Sequence, residues 1–399
     1  MKTLSARAQE MPSSPIRKLV PYADRAKAAG KHVYHLNIGQ PDIRTPETFF
    51  NPIKNMDMPV VEYGPSAGLL SLREKFAAYY RANNIDVSAQ NILITTGGSE
   101  AIIFTLMVIM DPGDEVIIPE PFYTNYNGFA VEAGVKVVPI PSSIDTGFQL
   151  PPIGSIREKI TPRTRAIMIC NPNNPTGYVY SRQEMEALRD ICLEKDLFLL
   201  TDEVYREFVY DGAEHISAMH FPEIADRVVM LDSVSKRYSA CGARIGMIVS
   251  KNEAFIEAAL KFGMARLCPP TIEQIASEAA VDTPQSYFDE VNAEYKKRRD
   301  LMVRLLRDIP GVVCPNPRGA FYLVVGLPVE DAGHFAQWLL TDFDVDGETV
   351  MVAPADGFYA TPGLGKNEVR IAYVLKEQDI ARAMHIVAEG LKAYPHKKA

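Results

Sequence analysis

Val228–Gly246 reads VVMLDSVSKRYSACGARIG, and the rest of the chain is interpreted around it. Val228 to Leu231 is a short apolar run of the kind that forms a buried strand. Asp232, Ser233, Ser235 and Lys236 follow directly, and Arg244 comes eight positions after the lysine, ahead of a second apolar run from Ile245 to Val249. A lysine at the mouth of a buried strand is desolvated. Desolvation weakens its preference for charge and makes the amine a usable nucleophile. Ser233, Ser235 and Arg244 supply two hydroxyls and a guanidinium, a set suited to a phosphate dianion. An isolated SxSK also fits a plain strand end with a surface lysine, so the weight lies in what other segments bring to the same place.

Three further strand ends carry polar signatures. Ile92 to Thr96 reads as a strand that meets Gly97-Gly98-Ser99-Glu100 ahead of an apolar helix from Ala101 to Met110; a strand, a glycine turn and a helix aim free backbone N–H groups at an anion. Arg165 to Cys170 closes on Asn171-Pro172-Asn173-Asn174-Pro175-Thr176-Gly177, a rigid turn, and Ser181 with Glu184 forms a capping box for a helix to about Lys195. Leu197 to Thr201 ends at Asp202-Glu203-Val204-Tyr205. With Glu115 to Pro119 and Lys136 to Ile140, strands of four to six residues alternate with helical stretches from about residue 92 to 250. That pattern predicts an α/β domain with a mostly parallel sheet, which binds ligands at the carboxyl ends of its strands.

Outside this region, Ile16 to Ala29 has helical spacing and stops at Gly30, and His32 to Ile38 reads as a strand ending at Gly39-Gln40-Pro41-Asp42. Residues 1 to 15 read as a mobile polar arm. A helix from Leu69 follows the loop at Tyr63-Gly64-Pro65. Ser286 to Asp308 reads as a long amphipathic helix with Lys296 to Arg299 on a solvated face. Strands at Ala320–Val325, Val350–Ala353 and Val369–Tyr373, with helices at Ala332–Leu340 and Gln378–Tyr394, make the last third a smaller α+β domain.

The bulk numbers narrow the class. The 399 residues are 47% hydrophobic with a formal net charge of −8, which supports a sizeable core and disfavours a nucleic-acid partner. The five cysteines are scattered without a CxxC pair, and no histidines show metal-ligand spacing, so neither a disulfide framework nor a metal centre is expected. The chain shows no apolar signal segment and no run long enough to span a bilayer. We expect a soluble cytoplasmic protein.

Taken in order, NIGQPD, YGPSAG, TTGGSEA, PFYTNY, NPNNPTG, DEVY, SVSK followed by Arg244, and VRIAY cover nearly the whole chain. In these motifs and their spacing it resembles the pyridoxal 5′-phosphate-dependent class I/II aminotransferases of fold type I, the aspartate aminotransferase family. The resemblance implies a large α/β/α domain (51–295) and a smaller α+β domain (16–50 and 296–399) behind an arm (1–15), in a homodimer with shared active sites. It implies that Lys236 forms the Schiff base with the cofactor aldehyde and then carries the proton between the substrate α-carbon and the cofactor. Asp202 would keep the pyridinium nitrogen protonated. Tyr205 and Asn174 would donate to the ring phenolate, and Tyr123 would stack on the ring. Backbone groups of Gly98, Ser99 and Glu100 would surround the phosphate with Ser233, Ser235 and Arg244, and Tyr63 would reach it from the other subunit. Arg370 would clamp the substrate α-carboxylate, with Asn174 and Gly39 beside it.

The chain departs from relatives at the substrate side chain. Ser99 stands where some bacterial aspartate aminotransferases have a lysine, and Arg266 lies three residues before Pro269-Pro270 rather than about six. The expectation is that Arg266 recognises the distal carboxylate of an aspartate-type donor, with aromatic or neutral donors as alternatives and 2-oxoglutarate as acceptor in a ping-pong cycle. The same constellation is compatible with C–S β-elimination. A non-catalytic cofactor-binding regulator would need a fused DNA-binding domain, for which the arm leaves no room.

Overall fold

The computed structural model describes residues 3–398. Its strands are β1 (His32–His35), β2 (Ile92–Thr95), β3 (Glu115–Glu120), β4 (Lys136–Pro141), β5 (Thr164–Cys170), β6 (Phe198–Asp202), β7 (Val228–Ser233), β8 (Gly246–Val249), β9 (Tyr322–Gly326), β10 (Glu348–Met351), β11 (Ala353–Pro354) and β12 (Glu368–Ala372). A seven-stranded sheet runs in the order β2-β8-β7-β6-β5-β3-β4. Only β8 is antiparallel to its neighbours, so β2, β3, β5, β6 and β7 all end on one edge. The side chains alternate as a two-faced buried sheet requires. Val229 and Leu231 enter the core on one face, and Val228 and Met230 enter the core on the other.

A three-stranded antiparallel sheet, β11-β12-β9, and the parallel pair β1–β10 form the second body, packed with helices Ala332–Thr341 and Glu377–Ala393. The long helix Gln285–Arg307 packs against the latter.

Several local expectations are corrected. The helix after β2 starts at Gly97, so the GGSE signature is its first turn and not a loop before it. The predicted 350–353 strand is two short pieces, β10 and β11. The helix predicted from Ile16 begins at Val20, with Pro21 in its first turn, where a missing N–H costs nothing. The stretch read as an arm includes a short helix, Ala6–Glu10, against helix Asn125–Ala133. Lys296 and Lys297 are solvated, but Arg298 and Arg299 are buried. Arg298 pairs with Asp42 and Glu294 and donates to the Val374 carbonyl; Arg299 pairs with Asp211 and donates to the Pro317 carbonyl. A helix this long has one face toward each body, and full pairing lets guanidinium groups lie inside.

Candidate active site

The strand ends converge on a cavity of about 440 Å³. Its lining includes Gly98, Ser99, Asp202, Ser233, Ser235 and Lys236 from the large-sheet edge, and Gly39, Tyr322 and Arg370 from the other body. Tyr123, Asn174, Tyr205 and Arg244 complete the sequence-predicted set found here.

β7 runs into a single helical turn, Val234–Arg237, whose N-cap is Ser233. The Ser233 hydroxyl accepts from the Ser235 backbone N–H at 3.1 Å and donates to the Ile245 carbonyl at 2.8 Å, with the Ser235 hydroxyl 2.9 Å away. The turn sends Lys236 into the cavity, where its Nζ donates to the Gly39 carbonyl at 3.0 Å and lies 3.6 Å from Cys241 Sγ. Burial alone depresses a lysine, as the sequence suggests. Here Tyr322, Cys241 and Tyr123 outweigh burial, and the Lys236 amine titrates above the ordinary lysine value. The expected depression is therefore corrected by the acidic neighbours.

Arg244 has φ +52°, and Gly97 has φ +78°. A side chain at Gly97 would collide with the Arg244 guanidinium, so a glycine is needed for this close approach. The arginine thereby stands beside the first turn of helix Gly97–Ile109, whose leading N–H groups have no helical partner.

Asp202, at the end of β6, accepts from the Tyr126 hydroxyl at 2.7 Å and more weakly from the Val204 N–H at 3.4 Å. Burial raises its pKa to about 6 against the pull of these two donors. Among the described residues this carboxylate has neutral hydrogen-bond partners and enters no ion pair, so a cation in the cavity would complete it. Asn174 donates to the Tyr205 hydroxyl at 3.3 Å and accepts from Arg370 Nη1 at 3.2 Å. Arg370, 2% exposed, also donates to the Asn37 carbonyl and lies between the Tyr322 and Phe358 rings; its Nε has no partner among the described residues. A buried, incompletely bonded guanidinium suits a carboxylate ligand. Asn125 donates to the Tyr123 hydroxyl at 2.9 Å and fixes that ring at the cavity wall.

These groups fit pyridoxal 5′-phosphate by the chemistry of the donor set. Asp202 would meet a protonated ring nitrogen, Tyr205 and Asn174 the ring oxygen, and Lys236 the aldehyde. Arg244, Ser233, Ser235 and the N–H groups of Gly98 and Ser99 would meet the phosphate.

Three predicted residues do not line this cavity. Glu100 turns its carboxylate away: it accepts from the Thr96 N–H at 2.7 Å and pairs with Arg266 Nη1 at 3.2 Å. Arg266 is half-buried there and donates to the Ser66 carbonyl at 3.0 Å, so within this chain it braces the start of helix Gly97–Ile109. Tyr63 is 82% exposed on its loop. Conversely, Tyr126, Asn125, Tyr322, Cys241 and Arg17 reach the site without having been singled out in the sequence. Tyr126 carried a faint signal, standing one helical turn after Tyr123. Tyr322 carried none: its place follows from Gly39, where a side chain would strike the Tyr322 phenol. The Tyr322 hydroxyl lies 3.0 Å from that of Tyr205 and donates to the Gly39 carbonyl at 3.2 Å.

Residues 31–387 match the family described as aminotransferase class I and II. Aromatic-amino-acid aminotransferase 2 of Thermococcus litoralis is 31% identical over 98% of both chains. Aspartate aminotransferase of Bacillus subtilis is 31% identical over 96% of this chain and 98% of its own. Among solved structures, aspartate aminotransferase from Thermus thermophilus with maleate superposes with a TM-score of 0.87 at 29% identity, covering 98% of this chain and 100% of that one. Family match, full-length relatives, shared fold and the cavity's donor set agree: the chain belongs to the class I and II aminotransferases and is a pyridoxal 5′-phosphate-dependent enzyme.

Proposed function

We propose that the enzyme moves the amino group of an L-amino acid to a 2-oxo acid, with 2-oxoglutarate as acceptor, in two half-reactions of a ping-pong cycle. The observation that carries this reading is the incompletely bonded Arg370 guanidinium in one cavity with the Lys236 amine. When bound, the cofactor supplies an electron sink for the substrate's α-carbon. Lys236 Nζ would take the proton from the α-carbon and deliver it to the cofactor carbon that carried the aldehyde. Asp202, ionised, holds positive charge at the ring nitrogen. Tyr205, steadied by Asn174 and Tyr322, donates to the ring oxygen. Arg370 fixes the α-carboxylate so that the breaking bond faces the lysine, the positioning contribution to the rate. Acidic donors are favoured, since every charged group lining the cavity except Asp202 is cationic among the described residues.

The test is a panel of amino donors mixed singly with holoenzyme while the cofactor's absorbance is followed. A stoichiometric conversion with each productive donor, reversed by 2-oxoglutarate, is expected. Release of pyruvate and ammonia without that conversion would support β-elimination instead.

We also propose that the site is completed by a second copy of the chain. Val60, Val61, Tyr63 and Leu70 are exposed, as are Met264 and Leu267 on an adjoining segment held to them through the Thr271 hydroxyl and the Glu62 carbonyl at 3.3 Å. Exposed apolar side chains on two adjoining segments suit burial against a second copy. In subunit-exchanged mixtures of Tyr63→Phe and Lys236→Ala proteins, each mixed dimer has one doubly altered site and one intact one, so activity should rise above the average of the two parents. No recovery after proven exchange would remove Tyr63 from the partner's site.

A further inference from the structure

Four cations line the cavity among the described residues: Arg17, Lys236, Arg244 and Arg370. The functional reading gives three of them an anion or a bond to make. Arg17 has none, and its guanidinium enters none of the ion pairs among the described residues. Arg266, the sequence's candidate for a distal carboxylate, is neutralised by Glu100, and Ser99 has no charge to offer.

Arg17 is exposed, yet the segment that carries it is held at the rim from several sides. Its backbone N–H closes a turn on the Ser14 carbonyl at 3.1 Å, and its own carbonyl accepts from Val20 at 3.0 Å. Pro15 packs so tightly on Gly357 that a side chain there would collide with its ring. The fully buried Asn37 donates from its side chain to the Ile16 carbonyl at 3.1 Å, and its backbone carbonyl accepts from Arg370 Nη2. One residue therefore ties the guanidinium suited to an α-carboxylate to the residue preceding Arg17. Ser14, Ile16 and Arg17 all line the cavity with Arg370.

We propose that Arg17 is the specificity-determining cation, receiving the distal carboxylate of short dicarboxylic amino and oxo acids while Arg370 holds the α-carboxylate. This rests on the aminotransferase reading of the site. A guanidinium at the mouth makes a charge-assisted bond that salt weakens, so the preference for acidic substrates is also ionic-strength-dependent.

The experiment compares wild-type holoenzyme with Arg17→Gln and Arg17→Lys in the donor half-reaction, using glutamate and alanine, and titrates each protein with maleate as an inert dicarboxylate. In Arg17→Gln the glutamate-to-alanine ratio of kcat/KM should fall roughly 10- to 100-fold, with maleate binding weakened by a similar factor. Arg17→Lys should recover part of both, and raising salt should erode the wild-type ratio toward that of Arg17→Gln. Equal losses for glutamate and alanine would overturn the proposal in favour of a purely structural segment. An unchanged ratio with unchanged maleate binding would return Arg17 to the surface. A wild-type enzyme that converts neither donor would strike the aminotransferase reading, and the maleate titration would still judge Arg17.

Discussion

On the large-sheet side of the cavity, Asp202, Ser233, Ser235 and Lys236 stand at the ends of β6 and β7, adjacent parallel strands. On the facing side, Gly39, Tyr322 and Arg370 come from separate segments of the chain and meet only because β12 pairs with β9 and the Leu36 carbonyl accepts from Ala372. The first wall is local: a strand ends, and the next few residues reach the ligand. The second is assembled by tertiary pairing, and its groups hold one another, as the Tyr322 hydroxyl donates to the Gly39 carbonyl. The wall proposed to hold the cofactor is thus fixed by secondary structure, whereas the wall proposed to hold the substrate depends on how two bodies sit together. Changes to the first should alter chemistry, and changes to the second should alter which substrate is accepted and how tightly.

The sharpest break of that division is Lys236→Ala. The proton transfer is lost with the amine, so kcat should fall by about 10⁴ or more while the phosphate contacts still retain cofactor. Residual turnover within tenfold of wild type would show that the lysine is not the base. Arg370→Gln comes next. It removes charge-assisted bonds to the α-carboxylate, and kcat/KM should drop roughly 100-fold for acidic and neutral donors alike. A loss confined to acidic donors would exchange the roles given to Arg370 and Arg17.

Asp202→Asn separates charge from shape. The folded carboxyl titrates near 6, above its ordinary value of 3.8, so the fold disfavours the ionised form. The destabilisation is absent below about pH 4, grows through pH 4 to 6, and is complete above that. Two pKa units amount to about 3 kcal/mol. Cofactor-free Asp202→Asn should therefore melt a few degrees above cofactor-free wild type at pH 8 and level with it at pH 4, while the cofactor stabilises the variant less. An equal gain at both pH values would mean the charge is irrelevant. The smallest effect expected is that of Arg266→Gln. Releasing its pair with Glu100 should cost about 1–2 kcal/mol of stability and lower acidic and neutral donors equally. A selective loss for acidic donors would restore Arg266 to the substrate.

The same contrast explains what the sequence could reveal. Strand-end signatures are contiguous, so the DEVY, SVSK and NPNNPTG residues were readable in advance. Even there, only period-two alternation separates neighbours: Asp202 faces the cavity, whereas Glu203 is buried among Thr201, Ser217 and Arg206. Tyr322 and Arg17 could not be found this way, because neither has a local pattern and each reaches the site through a distant partner. Arg298 and Arg299 misled for the same reason: charge on a helix face implies solvent unless Asp42 and Asp211 are known to be waiting. The pairing of Arg266 is likewise illegible in the sequence, since nothing in its spacing announces Glu100.

Both walls take their meaning from the proposal that Lys236 is the amine that bonds the cofactor. Reducing the yellow holoenzyme with borohydride, digesting it and locating the reduced adduct by mass spectrometry tests this directly. The adduct is expected on the peptide containing Lys236 and is expected to be absent from Lys236→Ala; an adduct on any other lysine would exclude Lys236 from that role.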